Sequence, residues 1–101
     1  MITVTDLKYK HLLISGNENL IILLGYKLNL TKTEYLILKA LIKNPSTPLS
    51  AEDISEEICF ILSKENLCYH ISNINHKAKT ISNRLLVKNI AKIGYFLNEE
   101  M

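Results

Sequence analysis

The most constraining feature of the sequence is an apolar stripe that runs through residues 63–82. Its members recur at spacings of four, three, four and three residues: Leu67, Ile71, Ile74, Ala78 and Ile81. This is the period of an amphipathic α-helix, so these side chains are predicted to pack on a core. At 100° per residue the opposite face, with His70 at its edge, groups side chains that form hydrogen bonds. They are Tyr69, Ser72, Asn73, His76, Lys77 and Thr80.

A first helix is predicted over residues 32–43. Thr31 and Glu34 fit a capping box, in which the side chain of each residue bonds the backbone N–H of the other. Asn44-Pro45 ends the helix, because proline disfavours helical backbone in the residue before it. The inward stripe is Tyr35, Leu38, Leu41 and Ile42.

A second capping signal, Ser50 with Asp53, opens another helix, which is predicted to run through Ile54, Ile58 and Phe60. Its outer face carries four carboxylates: Glu52, Asp53, Glu56 and Glu57. Such a face is typical of a solvated helix whose acids lie near its N-terminus, and a partner-binding patch is the alternative.

Short apolar segments flank the helices. Within residues 1–30, "HLLIS", "LIILL" and "YKLNL" alternate with turn residues, which predicts a small antiparallel sheet with a hairpin turn at Gly16-Asn17. After Arg84, "LLVKNI" and "IGYFL" predict a second hairpin over residues 85–97, joined by Ala91-Lys92. A sheet, three helices over residues 31–82 and a closing hairpin indicate an α+β fold of the winged helix-turn-helix type, with the hairpin as wing.

Length and composition indicate one compact domain. A chain of 101 residues buries roughly 60 to 65% of its extended surface on folding, which suffices for one core. The longest apolar run, "LIILL", is far shorter than a membrane span, and no secretory signal is visible, so a cytoplasmic location is expected. Without a Gly-rich phosphate loop or paired histidines, neither an enzyme nor a cofactor is expected.

The two cysteines indicate no special chemistry. Cys59 and Cys68 lack the partners of a disulfide framework or a zinc site. They are predicted to be buried free thiols.

Charge is unevenly distributed, although the net charge is only +2. Residues 46–63 carry four acids and no base, whereas residues 64–95 carry six cations against Glu65. Basic charge is thus concentrated around the third helix and the hairpin. Lys77, Lys79 and Lys88 are therefore candidates for phosphate contacts, with solubilising charge as the alternative.

Three motifs give this arrangement a family resemblance. They are "LTKTEYLIL" at the first helix, "HISNI" in the third helix and "IGY" in the hairpin. In this order they resemble the DNA-binding domain of OmpR/PhoB-type bacterial response regulators, over nearly the whole chain. The resemblance implies a transcription regulator whose third helix enters the major groove of double-stranded DNA while the wing reaches the adjacent minor groove.

The resemblance also implies which residues contact DNA. On the third helix the positions at which the family places base or phosphate contacts are Asn66, Tyr69, His70, Ser72, Asn73, Asn75, His76 and Lys77. On the first wing strand, Lys88 and Asn89 match the family's basic and polar residues.

The sequence departs from the family pattern on both elements. "I-S-R-L-R-R-K" appears as "I-S-N-I-N-H-K", so Asn73, Asn75 and His76 replace arginines. In the wing, Ala91-Lys92 replaces "R-G", so Lys92 occupies a turn position that favours glycine. Either the wing is reshaped there, or Lys92 substitutes for the missing charge. The family's receiver domain is not found ahead of Ile2, so a stand-alone regulator and a fragment both stay open.

These replacements change the expected DNA chemistry. Each lost phosphate contact lowers the salt slope of binding by about 0.9. Because asparagine pairs bidentately with adenine, Asn73 favours an A·T-rich site, with Tyr69 against a thymine methyl. Solvation is the alternative for Asn73, His70 and His76, and Asn75, on the flank of the core stripe, is left open between the two.

Other partners are open as well. Without its arginines, a winged helix could instead be a protein–protein interaction module, with RNA polymerase or a separate regulatory protein as its partner. A homodimer on DNA is expected by family analogy alone. The "LIILL" strand would supply a dimer interface, unless both of its faces are covered within the monomer.

Overall fold

The computed structural model describes residues 7–9, 12–15, 20–44 and 47–98. Four strands come first: β1 (Leu7–Tyr9), β2 (Leu12–Ser15), β3 (Leu20–Leu23) and β4 (Tyr26–Lys27). Three helices follow: α1 (Lys32–Lys43), α2 (Ala51–Ile58) and α3 (Lys64–Ser82). Strands β5 (Val87–Ile90) and β6 (Gly94–Leu97) complete the fold. The predicted winged helix is confirmed, while the turn predicted at Gly16-Asn17 lies outside the described residues.

The N-terminal strands form an antiparallel sheet in the order β1-β2-β3-β4. Leu12 lies opposite Leu23 and Ile14 opposite Ile21, and all four side chains are buried. On the other face Leu13 is exposed and its partner Ile22 is half-buried. The "LIILL" strand therefore buries one face on the core, and the described part of the chain leaves its other face partly open.

Helix α1 has the predicted bounds and the predicted capping box. Its inward stripe is buried, as expected: Tyr35, Leu38, Leu41 and Ile42. The capping box of Ser50 and Asp53 at the start of α2 is also confirmed.

Helix α2 is shorter than predicted. It ends at Ile58 because Cys59 adopts a left-handed backbone (φ +58°), and the N–H of Phe60 turns back to the carbonyl of Ser55. Phe60 is outside the helix and 56% exposed. The predicted continuation through Phe60 is wrong.

The burial predicted for the two cysteines is also wrong, since both are exposed. Cys59 occupies the helix cap, away from the core. Cys68 lies on the flank of α3, where its Sγ is 3.1 Å from the hydroxyl of Tyr95.

Helix α3 begins after Ser63, whose side chain accepts a hydrogen bond from the N–H of Asn66. The predicted stripe faces the core, with Leu67, Ile71, Ile74 and Ala78 buried and Ile81 packed against them. Asn83, at φ +61°, ends the helix in the left-handed conformation. The polar face of α3 is therefore turned away from the core, as predicted.

The wing differs from the prediction in two details. Its first strand begins at Val87 rather than Leu85, and three residues, 91–93, connect Ile90 to Gly94. Lys92 has φ +67° there, so a lysine does hold a turn conformation that favours glycine. The loop before α2 adds a third segment to the wing, because Leu49 and Tyr95 exchange two backbone hydrogen bonds of 2.8 Å.

Replacement of Gly94 tests this anchoring of the wing. A Cβ at Gly94 (φ +154°) would overlap the backbone carbonyl of Leu49, whereas a Cβ at Gly25 (φ +84°) meets open space. Gly25→Ala should therefore cost only backbone strain of about 1 kcal/mol. Gly94→Ala should cost about 2–4 kcal/mol, because it also separates the wing from Leu49. Urea unfolding of the two variants compares them, and equal losses would contradict a packing role for Gly94.

Candidate nucleic-acid interface

The outward face of α3 is a continuous polar surface. Tyr69 is 64% exposed, and its ring meets that of His70 edge to face at 5.6 Å. His70 and Asn73 are half-buried beside it. The other residues of this face are exposed: Asn66, Ser72, His76, Lys79 and Thr80. The structure thus brings these helix residues together on one side of the molecule.

The wing places further polar residues beside this face. Lys88 is half-buried on β5, Asn89 is exposed next to it, and Lys92 is exposed in the turn. A groove of about 360 Å³ separates the wing from the starts of α2 and α3, and it is lined by Lys64, Cys68, Asn89, Lys92 and Tyr95 among others. Burial and the contact with Cys68 raise the pKa of Tyr95 to about 12, so its hydroxyl is neutral.

Lys77 has a different environment from the one expected. Its Nζ lies 2.6 Å from Oε1 of Glu34, whose residue is only 1% exposed. The same oxygen accepts the backbone N–H of Thr31 at 3.1 Å, and the N–H of Glu34 donates to Oγ1 of Thr31. The carboxylate that caps α1 is thus also the ion-pair partner of the third helix.

The electrostatics of Glu34 follow from these partners. Burial by itself would raise the pKa of the Glu34 carboxyl group. Hydrogen bonds from Lys77 and Thr31, with the positive charge of Lys77, outweigh burial and hold that pKa below its ordinary value. Glu34 is therefore ionised in the folded protein, and the ammonium of Lys77 is engaged between α1 and α3.

Asn75 is neither a solvated residue nor part of the exposed polar face, the two alternatives that the sequence left open. Its Oδ1 accepts the N–H groups of Leu86 and Val87 at 2.9 and 2.8 Å, and its Nδ2 donates to the carbonyl of Val87 at 3.0 Å. The side chain is half-buried and ties α3 to the first wing strand. Because these bonds occupy backbone groups of Leu86 and Val87, the pairing of β5 with β6 begins only at Val87.

A second asparagine, which the sequence analysis missed, holds the same segment from the other side. Asn98 is 4% exposed, its N–H donates to the carbonyl of Leu86, and its Nδ2 donates to the carbonyl of Leu85. No local pattern marks either Asn98 or the second role of Glu34, because their partners are distant in sequence. Both residues position the candidate interface without belonging to its exposed surface.

Residues 25–97 match the family model described as "Transcriptional regulatory protein, C terminal". The chain belongs to this family. The match covers the three helices and the wing, so the resemblance to OmpR/PhoB-type effector domains is confirmed. No curated protein sequence matches the chain.

Solved structures of DNA-binding domains share the fold of this transcriptional regulatory domain. The response regulator AdeR domain, in complex with an intercistronic region, has a TM-score of 0.80 at 23% identity, covering 90% of this chain and 96% of that one. The CpxR domain from E. coli gives 0.76 at 24% identity, covering 92% and 95%. The Klebsiella pneumoniae RstA domain, in complex with the RstA box, gives 0.77 at 13% identity, covering 94% and 98%.

In the described part of this chain, none of the helices has the length and apolar character that a membrane span requires.

A double-mutant cycle on Glu34 and Lys77 tests the ion pair in this domain. Lys77→Met should cost more than Glu34→Gln, because it leaves a buried carboxylate without its partner. The coupling energy should be about 1–3 kcal/mol, since Lys77 is partly hydrated. Chemical unfolding of the four proteins at neutral pH measures it, and additive losses would show that the pair does not join α1 to α3.

The pH dependence of stability gives a second test. Since the pKa of Glu34 is lowered by folding, its contribution is present above the ordinary carboxyl value and is lost as pH falls through the lowered value. The stability difference between wild type and Glu34→Gln should therefore shrink between about pH 7 and about pH 3. Thermal unfolding across this range measures the difference, and a constant difference would contradict an ionised, paired Glu34.

Asn75 and Asn73 form a matched pair on the same helix. Asn75→Ala removes three hydrogen bonds to the wing and should cost about 2–4 kcal/mol. Asn73→Ala makes the same change in helix propensity but breaks no hydrogen bond within the described part of the chain. It should stay within about 0.5 kcal/mol of wild type. Similar losses in urea unfolding would refute the anchoring role of Asn75.

Proposed function

We propose that this domain is a sequence-specific DNA-binding transcriptional regulator of the OmpR/PhoB type that acts in the cytoplasm. Helix α3 enters the major groove, and the wing reaches the adjacent minor groove. The observation that carries the proposal is the exposed polar face of α3 with the wing cations beside it, in a chain of this family.

Charge supports this orientation. Residues 64–95 hold six cations and one carboxylate, Glu65, whereas the acids of α2 lie in the preceding segment. A cationic surface around the reading helix releases counterions from DNA and supplies affinity that does not depend on sequence. The wing and α3 therefore form the phosphate-facing side of the proposed complex.

The residues divide into readers and backbone contacts. Asn73 is proposed to pair with adenine and Tyr69 to pack on a thymine methyl, which favours an A·T-rich site. Phosphate contacts are assigned to Lys79, Lys88 and Lys92, with Asn66, His70, Ser72, His76 and Asn89 as polar contacts. Lys77 is proposed to be a positioning residue instead, because Glu34 holds its ammonium.

A second candidate function rests on a different surface. Phe60 and Ile61 are 56% and 90% exposed in the loop after the acidic helix α2. An exposed apolar pair beside acids is suited to a protein partner, such as RNA polymerase or a separate regulatory protein. A homodimer on repeated half-sites is a further proposal from family analogy.

The decisive experiment is binding to A·T-rich and G·C-rich duplexes at about 50 and 200 mM salt. Wild type should bind more weakly at the higher salt and should prefer the A·T-rich duplex. Lys88→Ala should weaken binding to both duplexes and lower the salt slope by about 0.9. Asn73→Ala should retain the slope and lose about 1–3 kcal/mol of preference.

If wild type binds neither duplex at about 50 mM salt, α3 does not read DNA, and the protein-interaction function becomes the leading one. If Asn73→Ala leaves the preference unchanged, the assignment of Asn73 as a base reader is wrong.

A further inference from the structure

A second polar groove lies on the side of α3 away from the wing. It has a volume of about 310 Å³ and is formed by strand β4, the segment after it and the C-terminal half of α3. Its polar lining consists of Tyr26, Lys27, Asn29, His76, Lys77 and Thr80. None of these side chains is a carboxylate, so the groove offers hydrogen-bond donors and positive charge.

The cations in this groove are not equivalent. Lys77 is held by Glu34. Lys27 is exposed and forms no ion pair within the described residues, and Tyr26 beside it is 66% exposed. The outward-facing cation of the groove is therefore supplied by the N-terminal sheet, which contains none of the predicted DNA contacts.

The groove and the wing lie on opposite flanks of α3. Asn75 faces the wing, whereas Lys77 faces Glu34 on α1 and borders the groove on the opposite flank. His76, between them in the sequence, is exposed on the outward face. The wing and strand β4 therefore flank the polar face of α3 on its two sides.

Double-stranded DNA presents a matching arrangement. A helix in the major groove, about 12 Å wide, lies between two sugar-phosphate backbones. The wing side supplies Lys88 and Lys92 to one of them. The other backbone passes the opposite flank of α3, where Lys27, Tyr26 and His76 are the exposed donors.

We propose that strand β4 and His76 form a second backbone-phosphate site, in which Lys27 and the Tyr26 hydroxyl bind the DNA strand that lies away from the wing. This inference rests on the proposed function and extends it to a part of the fold outside the helix-turn-helix and wing. The site also restores positive charge at the flank of α3, in which Asn73, Asn75 and His76 stand where the family pattern has arginines.

The test compares Lys27→Ala with Lys43→Ala, which makes the same change in net charge. Lys43 lies in the last turn of α1 and pairs with Glu57 of α2. Lys27→Ala should lower the salt slope by about 0.9, which corresponds to about fifteenfold weaker binding at 50 mM salt and about fourfold at 200 mM. The loss should be the same on A·T-rich and G·C-rich duplexes, and Lys43→Ala should retain the wild-type slope.

Tyr26→Phe separates the hydroxyl group from the rest of the side chain. It should weaken binding on both duplexes without changing the salt slope, because no charge is removed. Equal thermal stability of the three variants and wild type confirms that the fold is retained.

The possible results distinguish this proposal from the one on which it rests. If wild type binds DNA and Lys27→Ala behaves like Lys43→Ala, the second phosphate site is refuted while DNA binding by α3 and the wing stands. If wild type binds no DNA at about 50 mM salt, both proposals fail together.

Discussion

The interaction on which the geometry of the domain depends is the buried carboxylate of Glu34. Moving an ionised carboxylate out of water costs several kcal/mol unless a cation and hydrogen-bond donors replace its hydration. Thr31 supplies a backbone donor from the same helix, and Lys77 supplies the cation from α3. A change in the packing of α1 against α3 would separate this pair, so the ion pair favours one orientation of the polar face.

The wing depends on the same helix through neutral groups. Asn75 satisfies backbone groups of Leu86 and Val87, and Asn98, which directly follows β6, donates to the carbonyls of Leu85 and Leu86. Asn75, which is half-buried, and Asn98, which is buried, thus supply hydrogen bonds in place of the ladder bonds that a longer β5 would have made. Since α3 carries both Lys77 and Asn75, its two flanks fix it to α1 and to the wing.

Local patterns in the sequence were sufficient to predict the helices and strands. They were insufficient to predict the contacts made by Glu34, Asn75 and Asn98. The helical period predicted α1 and α3, and the capping boxes predicted the starts of α1 and α2, because both signals lie within a few residues. The end of α2 was missed because Cys59 adopts a left-handed backbone without being glycine. A helical wheel placed Lys77 and Asn75 on a face or flank, but their partners, Glu34 and Val87, are 43 and 12 residues away.

The chemistry of position 75 connects the fold to the altered reading face. Arginine has five donors and no acceptor, so it could not accept the N–H groups of Leu86 and Val87 as Asn75 does. An asparagine there anchors the wing and at the same time removes a positive charge from α3. In the proposed complex, the flanks carry charge at Lys27 on one side and at Lys88 and Lys92 on the other, and Lys79 adds a cation towards the C-terminal end of α3. The centre of the helix then presents Tyr69 and Asn73, the two proposed base readers, so in the proposed complex most of the charge lies apart from the residues that set sequence preference.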